Sequence, residues 1–280
     1  MTIPASLELN CLEVDELGAA REYLRPGQRI FVSHLPRQSW DQSLTASARV
    51  RAAGFEPVPH VPVRLLEDAR QLEDILRRAS AAGVGELLLI SGDYPQARGP
   101  YGDVLSVLES GLLTRCGFTR VSFAGHPEGH PSVSDAQIRQ AQIDKAGRAA
   151  SLGLEVTFVS QFFFDVAPFI AWARDLREAF VDARIVAGLP GPARVGKLLK
   201  LARHCGVGPS LRALTARPAS AWELLGRSPA DVLLAALKGA QQQHPGLFDA
   251  IHVFSFGGFE HTARWLRDCA RHPHPWSPTS

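Results

Sequence analysis

Six side chains of this chain have the types needed for proton transfer or for holding a polar heterocycle: Glu8, His60, Asp93, His126, His130 and Gln161. Each stands at or just past the end of a short apolar run, so they form a distributed constellation and not one local motif. Glu8 lies between Leu7 and Leu9, whose side chains point the other way on a strand. A carboxyl aimed into a barrel mouth and partly buried is expected to have a raised pKa and to deliver a proton. The same position also suits a surface charge, or a helix-capping pair with Glu13. Asp93 follows Leu87-Leu88-Leu89-Ile90-Ser91-Gly92 and can accept hydrogen bonds from a nitrogen heterocycle or ligate a metal. It equally fits an Asx turn before Pro95. Gln161 carries donor and acceptor in one amide, which pairs two ways with a heterocycle edge. The aromatics after it, Phe162-Phe163-Phe164, read as core packing. Three histidines near one rim raise the question of a metal. The stretch after the first run is Glu8-Leu9-Asn10-Cys11, without the histidine pair of metal-dependent barrel hydrolases, so no metal is expected and contact or structural roles are preferred.

The elements that must position these residues are eight short apolar runs, at 6–9, 29–33, 56–61, 86–91, 120–124, 155–161, 183–188 and 250–254. Helical spacing falls between them, as in Leu65, Leu72, Ile75 and Leu76, or Val104, Leu105, Leu108 and Leu112. The clearest helix spans 134–152 and opens on Ser134-Asp135 as its cap. Eight strands alternating with helices predict an α/β chain folded as one (β/α)8 TIM barrel over 1–271, with chemistry where strands give way to loops. After the seventh strand, Gly188-Leu189-Pro190-Gly191-Pro192 turns into a basic helix carrying Arg194, Lys197, Lys200 and Arg203. Arg194, nearest the helix start, is a candidate for holding an anionic cofactor or substrate group; a solvated outer face is the plainer reading. A helical insertion between strands 7 and 8, at 206–245, is expected to cap one side of the barrel. The Pro-rich segment 272–280 reads as a flexible tail.

Composition narrows the function classes. The chain of 280 residues is 45% apolar with a formal net charge of +2, too balanced for a nucleic-acid or membrane surface. Four cysteines stand far apart without a CxxC pair, which suits a cytoplasmic protein, and no signal segment or apolar run of spanning length is present. The four lysines, Lys145, Lys197, Lys200 and Lys238, fall at no predicted strand end, which argues against Schiff-base lyase chemistry.

Three blocks in order resemble the methylenetetrahydrofolate reductase family: Ser91-Gly92-Asp93-Tyr94-Pro95, Gly125-His126-Pro127-Glu128-Gly129-His130-Pro131 and Ser160-Gln161-Phe162-Phe163-Phe164-Asp165. The resemblance extends over nearly the whole chain. It implies hydride transfer between NADH or NADPH and 5,10-methylenetetrahydrofolate, giving 5-methyltetrahydrofolate. By resemblance Glu8 is the general acid that opens the methylene bridge, Asp93 hydrogen-bonds the pterin and steadies the developing cation, and Gln161 contacts the pterin. His60 matches a flavin-side histidine, and His126 and His130 fall in a block that contacts substrate or cofactor. Three departures fall on flavin contacts: Ser91 replaces an arginine, His126 replaces a tyrosine, and 145–153 lacks the Lys-x-x-x-Ala-Gly-Ala stretch. That pattern resembles the divergent, flavin-independent branch, so bound FAD is not expected. The alternatives are the same reaction run oxidatively in a demethylation pathway, or a tetrahydrofolate-binding methyltransferase or folate-binding protein on the same fold. No Gly-x-Gly-x-x-Gly fingerprint separates NADH from NADPH, and the oligomeric state is not encoded in any pattern found here.

Overall fold

In the computed structural model, residues 3–92, 94–180, 182–205 and 228–271 are described. Asp93, most of the predicted insertion and the 272–280 tail lie outside them. Eight strands follow in chain order: β1 (Ala5–Asn10), β2 (Arg29–Ser33), β3 (Glu56–Pro62), β4 (Glu86–Ile90), β5 (Arg120–Gly125), β6 (Glu155–Phe162), β7 (Arg184–Pro190) and β8 (Ala250–Phe254). All neighbours are parallel, and β8 pairs back onto β1, closing the barrel expected from the alternation. The helices are α1 (Leu17–Ala20), α2 (Trp40–Ala52), α3 (Ala69–Ala81), α4 (Val104–Glu109), α5 (Leu112–Arg115), α6 (Asp135–Ser151), α7 (Val166–Ala179), α8 (Val195–His204), α9 (Pro229–Gln243) and α10 (Phe259–Arg271). No helix among the described residues is long and apolar enough to cross a membrane.

Period-two alternation divides each strand between two environments. Phe31, Val58, Leu88, Val159, Val186 and Ala250 fill the barrel interior, while outward residues such as Leu87, Phe123, Ile185 and Val253 meet the helices. Each fully buried Leu or Phe contributes about 1.5–3 kcal/mol. The helices start where their caps dictate. Asp68 accepts from the Gln71 amide at the head of α3, whose Leu72, Ile75, Leu76 and Ala79 form one buried stripe. Ser134 and Gln137 make a reciprocal capping box at the head of α6. The stretch expected as one helix from Val104 to Leu112 is two, α4 and α5, broken at Gly111 with φ +65°.

The region between β7 and β8 differs from the expectation. The helix that packs against β7 and α7 as part of the outer ring is α9, with Leu233, Leu234 and Leu237 buried in the main core. The basic helix α8 instead lies across the C-terminal rim, its Leu198, Leu201 and Ala202 packed on Phe162, Phe164, Phe254 and Phe256. Phe162 and Phe254 end β6 and β8, so an aromatic rim binds α8 while α9 covers the sheet.

Candidate active site

Glu8 stands two residues before the end of β1 and points into the barrel, with its side chain 21% exposed. Its neighbours are two histidines from strands that sequence separates widely. Glu8 Oε2 is 3.6 Å from His252 Nε2 and 3.8 Å from His60 Nε2, ion-pair spacing rather than hydrogen-bond spacing. Both face inward by alternation, His60 beside Val58 on β3 and His252 beside Ala250 on β8. His252 is 1% exposed, and the Phe31 ring packs against it at 4.6 Å. On its far side Ser6 Oγ lies 3.0 Å from Nδ1. Ser6 Oγ also lies 3.4 Å from the Ile251 carbonyl, to which it can donate; when it donates to the closer Nδ1 instead, the ring proton sits on Nε2 and faces Glu8, the tautomer that suits a carboxylate. His60 Nε2 is buried without a hydrogen-bond partner.

The electrostatics reverse one expectation. Burial pushes the Glu8 carboxyl up most strongly, but the interaction with His252 and the charges of His60 and His252 together outweigh it, and the net direction is downward. Burial holds His60 below the ordinary imidazole range against the pull of Glu8. The two shifts thus run in opposite senses, Glu8 toward the carboxylate and His60 toward the neutral ring. The carboxyl that is pushed up is Glu13, in the 3₁₀ turn Cys11–Glu16, raised first by burial and then by Glu16, with Lys197 of α8 opposing.

Gln161 owes its setting to a bulge. The register of β6 against β7 shifts between Val159 and Phe162, and Ser160 Oγ accepts from the Gly188 amide at 2.7 Å. A side chain on Gly188 would run into the Ser160 and Gln161 carbonyls, so glycine is required at this close approach. Past the bulge Phe162 faces the rim cluster and Phe163 stacks on Phe169 in the outer core. The Gln161 amide donates to the Cys205 carbonyl at 2.9 Å, tying β6 to the end of α8. Around Asp93, Gly92 takes φ +83°, and Arg64 braces the loop by donating to the carbonyls of Tyr94 and Gly102 at 2.8 Å each.

His126 and His130 form a separate pair, their rings edge to face at 5.6 Å. His126 lines a groove between α6 and α7. Burial, then Lys145 and His130, draw it down to about 4. Lys145 itself is drawn down to about 8 by burial, against Asp103, and sits 5.5 Å from the Phe123 ring centre. Arg194 is exposed at the N-cap of α8. Thus Glu8 and His60 are brought together, Gln161 is anchored at the same rim, and His126 and His130 stand apart. The residue that sequence reasoning missed is His252; its inward parity with Ala250 and Phe254 on a buried strand was the available signal.

A closed parallel barrel with a half-buried carboxylate and two imidazoles inside its mouth defines a (β/α)8 protein with titratable groups clustered at one end. The methylenetetrahydrofolate reductase family model matches residues 41–209, and the chain belongs to that family. It is 27% identical over 158 residues to 5,10-methylenetetrahydrofolate reductase of Pectobacterium carotovorum subsp. carotovorum, covering 55% of this chain and 50% of that protein. The corresponding Salmonella typhimurium protein is 27% identical over 137 residues, covering 49% and 44%. The matched part thus spans about half the length of these curated relatives. Among solved structures, dihydropteroate synthase from Thermus thermophilus is similar in fold, with a TM-score of 0.53 at 13% identity over 96% of this chain and 93% of that one. Glu8 and His252 fall outside the segment matched by the family.

Proposed function

We propose that this protein moves a hydride between a nicotinamide dinucleotide and the one-carbon unit of 5,10-methylenetetrahydrofolate, giving 5-methyltetrahydrofolate. Family membership supports the reaction class, and the observation that carries the reading is Glu8 held at the barrel mouth between His60 and His252. Glu8 protonates the departing nitrogen of the methylene bridge, and the iminium carbon so formed accepts the hydride. Glu8 rests as a carboxylate, so it must first take up a proton. A folate covering the mouth displaces water, and burial, already the largest influence on this carboxyl, then drives it toward the protonated form. His252, backed by Ser6, orients the carboxyl through its Nε2–H, and the proton that Glu8 takes up comes from water before the mouth is covered. Asp93 and Gln161 hold the pterin in this reading, and Arg194 meets an anionic group of the dinucleotide or the folate tail.

Flavin fits the surroundings poorly. A flavin diphosphate needs cations and polar donors; here His126 is neutral and turned to the α6–α7 groove, and Lys145, a cation at neutral pH with a value of about 8, packs over the Phe123 ring. No step is therefore routed through flavin, and hydride passes directly from nicotinamide to the pterin. The test is to incubate the purified protein with NADH or NADPH and methylenetetrahydrofolate and to follow nicotinamide oxidation, with flavin assayed after denaturation. Nicotinamide oxidation dependent on the folate, without released flavin, is expected. Stoichiometric flavin whose removal abolishes turnover would reject the direct transfer, and no folate-dependent oxidation in either direction would leave a folate-binding role in its place. One observation favours a second reading, the oxidative direction: a resting carboxylate is already the base needed to accept a proton as the bridge closes. Initial rates from 5-methyltetrahydrofolate and oxidised nicotinamide decide it.

A further inference from the structure

The opposite end of the barrel is built from charges. Arg29, Glu56, Glu86, Arg120 and Arg184 are each the first residue of a strand, and they share one ring at the N-terminal face. Arg29 lies 3.2 Å from Glu86 and 3.6 Å from Glu56, and Arg120 lies 3.9 Å from Glu56. Ser122 donates to Glu86 at 2.6 Å. Glu56 and one oxygen of Glu86 are engaged by these contacts, while Glu86 Oε2 faces Arg29 at 3.2 Å without a hydrogen bond. Arg184 has no ion pair or hydrogen bond among the described residues, and its Nε is buried without a partner. Burial, followed by repulsion from Arg29, pushes this guanidinium below its usual value, against attraction from Asp249 and Glu86 that is not close enough to pair.

Arg184 faces a cavity of about 410 Å³ that Arg25, Arg29, Arg267, Glu56 and Thr157 also line, with Phe31 at its inner end. Arg267 is paired with Asp268 at 2.9 Å and lies over the Tyr23 ring. Arg25 is exposed and has no ion pair among the described residues. Two guanidiniums, one half-buried and one at the rim, thus pair with no carboxylate at this concave space. A partly desolvated cation without a counter-ion is costly, and guanidinium forks match tetrahedral oxyanions by paired hydrogen bonds.

We propose that this cavity is a binding site for a phosphate-type dianion, a phosphomonoester or inorganic phosphate, held by Arg184 and Arg25 at the end of the barrel remote from Glu8. The inference does not depend on the reaction proposed above. Inorganic phosphate is the probe, titrated against the purified protein at constant ionic strength and at a pH where it is divalent, by calorimetry and thermal unfolding. Saturable binding is expected in the native protein. It should be lost in Arg184→Met, about tenfold weaker in Arg25→Ala as one charge-assisted contact disappears, and unchanged in Arg115→Ala, which removes an exposed arginine away from this cavity. Ligand-free Arg184→Met should unfold no earlier than the native protein, because it removes an unpaired, half-buried charge; if that variant does not fold, Arg25→Ala decides. Malonate, a dianion without the tetrahedral group, should bind more weakly. No saturable binding, equal binding in Arg184→Met or Arg25→Ala, loss in Arg115→Ala, or equal affinity for malonate would each overturn the assignment.

Discussion

Replacing Glu8 with Gln preserves the shape of the side chain and removes both its proton and its charge. Proton transfer by a positioned group contributes about 100-fold to 10,000-fold in rate, equivalent to about 2.7–5.5 kcal/mol of barrel-site barrier lowering, so reduction of methylenetetrahydrofolate should fall by that range. Folate affinity should change little, since Asp93 and Gln161 hold the ring in this mechanism. The structure adds a second readout. Because the folded-state pKa of Glu8 is depressed, its stabilisation is present above the unfolded pKa and is lost as pH falls through the folded value. At neutral pH Glu8→Gln should therefore be destabilised, by no more than about 1.5 kcal/mol, the low end for a hydrogen bond to a charged group, because the contacts at 3.6 and 3.8 Å are long. On acidification the gap from the native protein should close. Single-turnover nicotinamide oxidation, folate binding and urea unfolding at two pH values measure all three quantities. Near-native turnover in Glu8→Gln would refute the acid assignment, and an equivalent loss in Glu13→Gln would move it to the neighbouring carboxyl, whose pKa is the raised one.

Three further outcomes follow from the same geometry. His252→Leu removes the partner that most lowers Glu8 and leaves burial to raise it, so the limb of the pH–rate profile governed by Glu8 should move to higher pH; a profile superimposable on the native one would remove His252 from the mechanism. Gln161→Ala should raise the folate Michaelis constant about tenfold, the loss of about one charge-assisted or well-placed hydrogen bond, with unchanged constants showing that the amide serves only to hold Cys205. Gly188→Ala forces a methyl group against the Ser160 and Gln161 backbone and should cost about 1–3 kcal/mol in denaturant unfolding; native stability would mean that the bulge relaxes without cost.

The difference between what was readable and what was not has a common cause. Strand 6–9 was recognised within a residue or two of the observed Ala5–Asn10, and the Ser134 cap opened a helix where expected, because both depend on local periodicity and on hydrogen bonds within a few residues. The break at Gly111 was missed because two short helices present the same apolar spacing as one. The exchange of roles between α8 and α9 was missed for a different reason. Both are amphipathic, and their faces do not say which will meet the rim aromatics and which the sheet.

By itself, the sequence determined the barrel, through eight apolar runs alternating with helical spacing, and it marked Glu8, His60 and Gln161 as candidate site residues near strand ends. Only the tertiary structure decided the state in which Glu8 works. Barrel closure sets β8 beside β1 and brings Ser6 to His252 across 246 positions of chain. A carboxyl's pKa depends on the charges and water within a few ångströms of it, and those neighbours come from strands that no local pattern connects. The partial burial expected to raise Glu8 does act on it, and two imidazoles delivered by the fold overcome that burial.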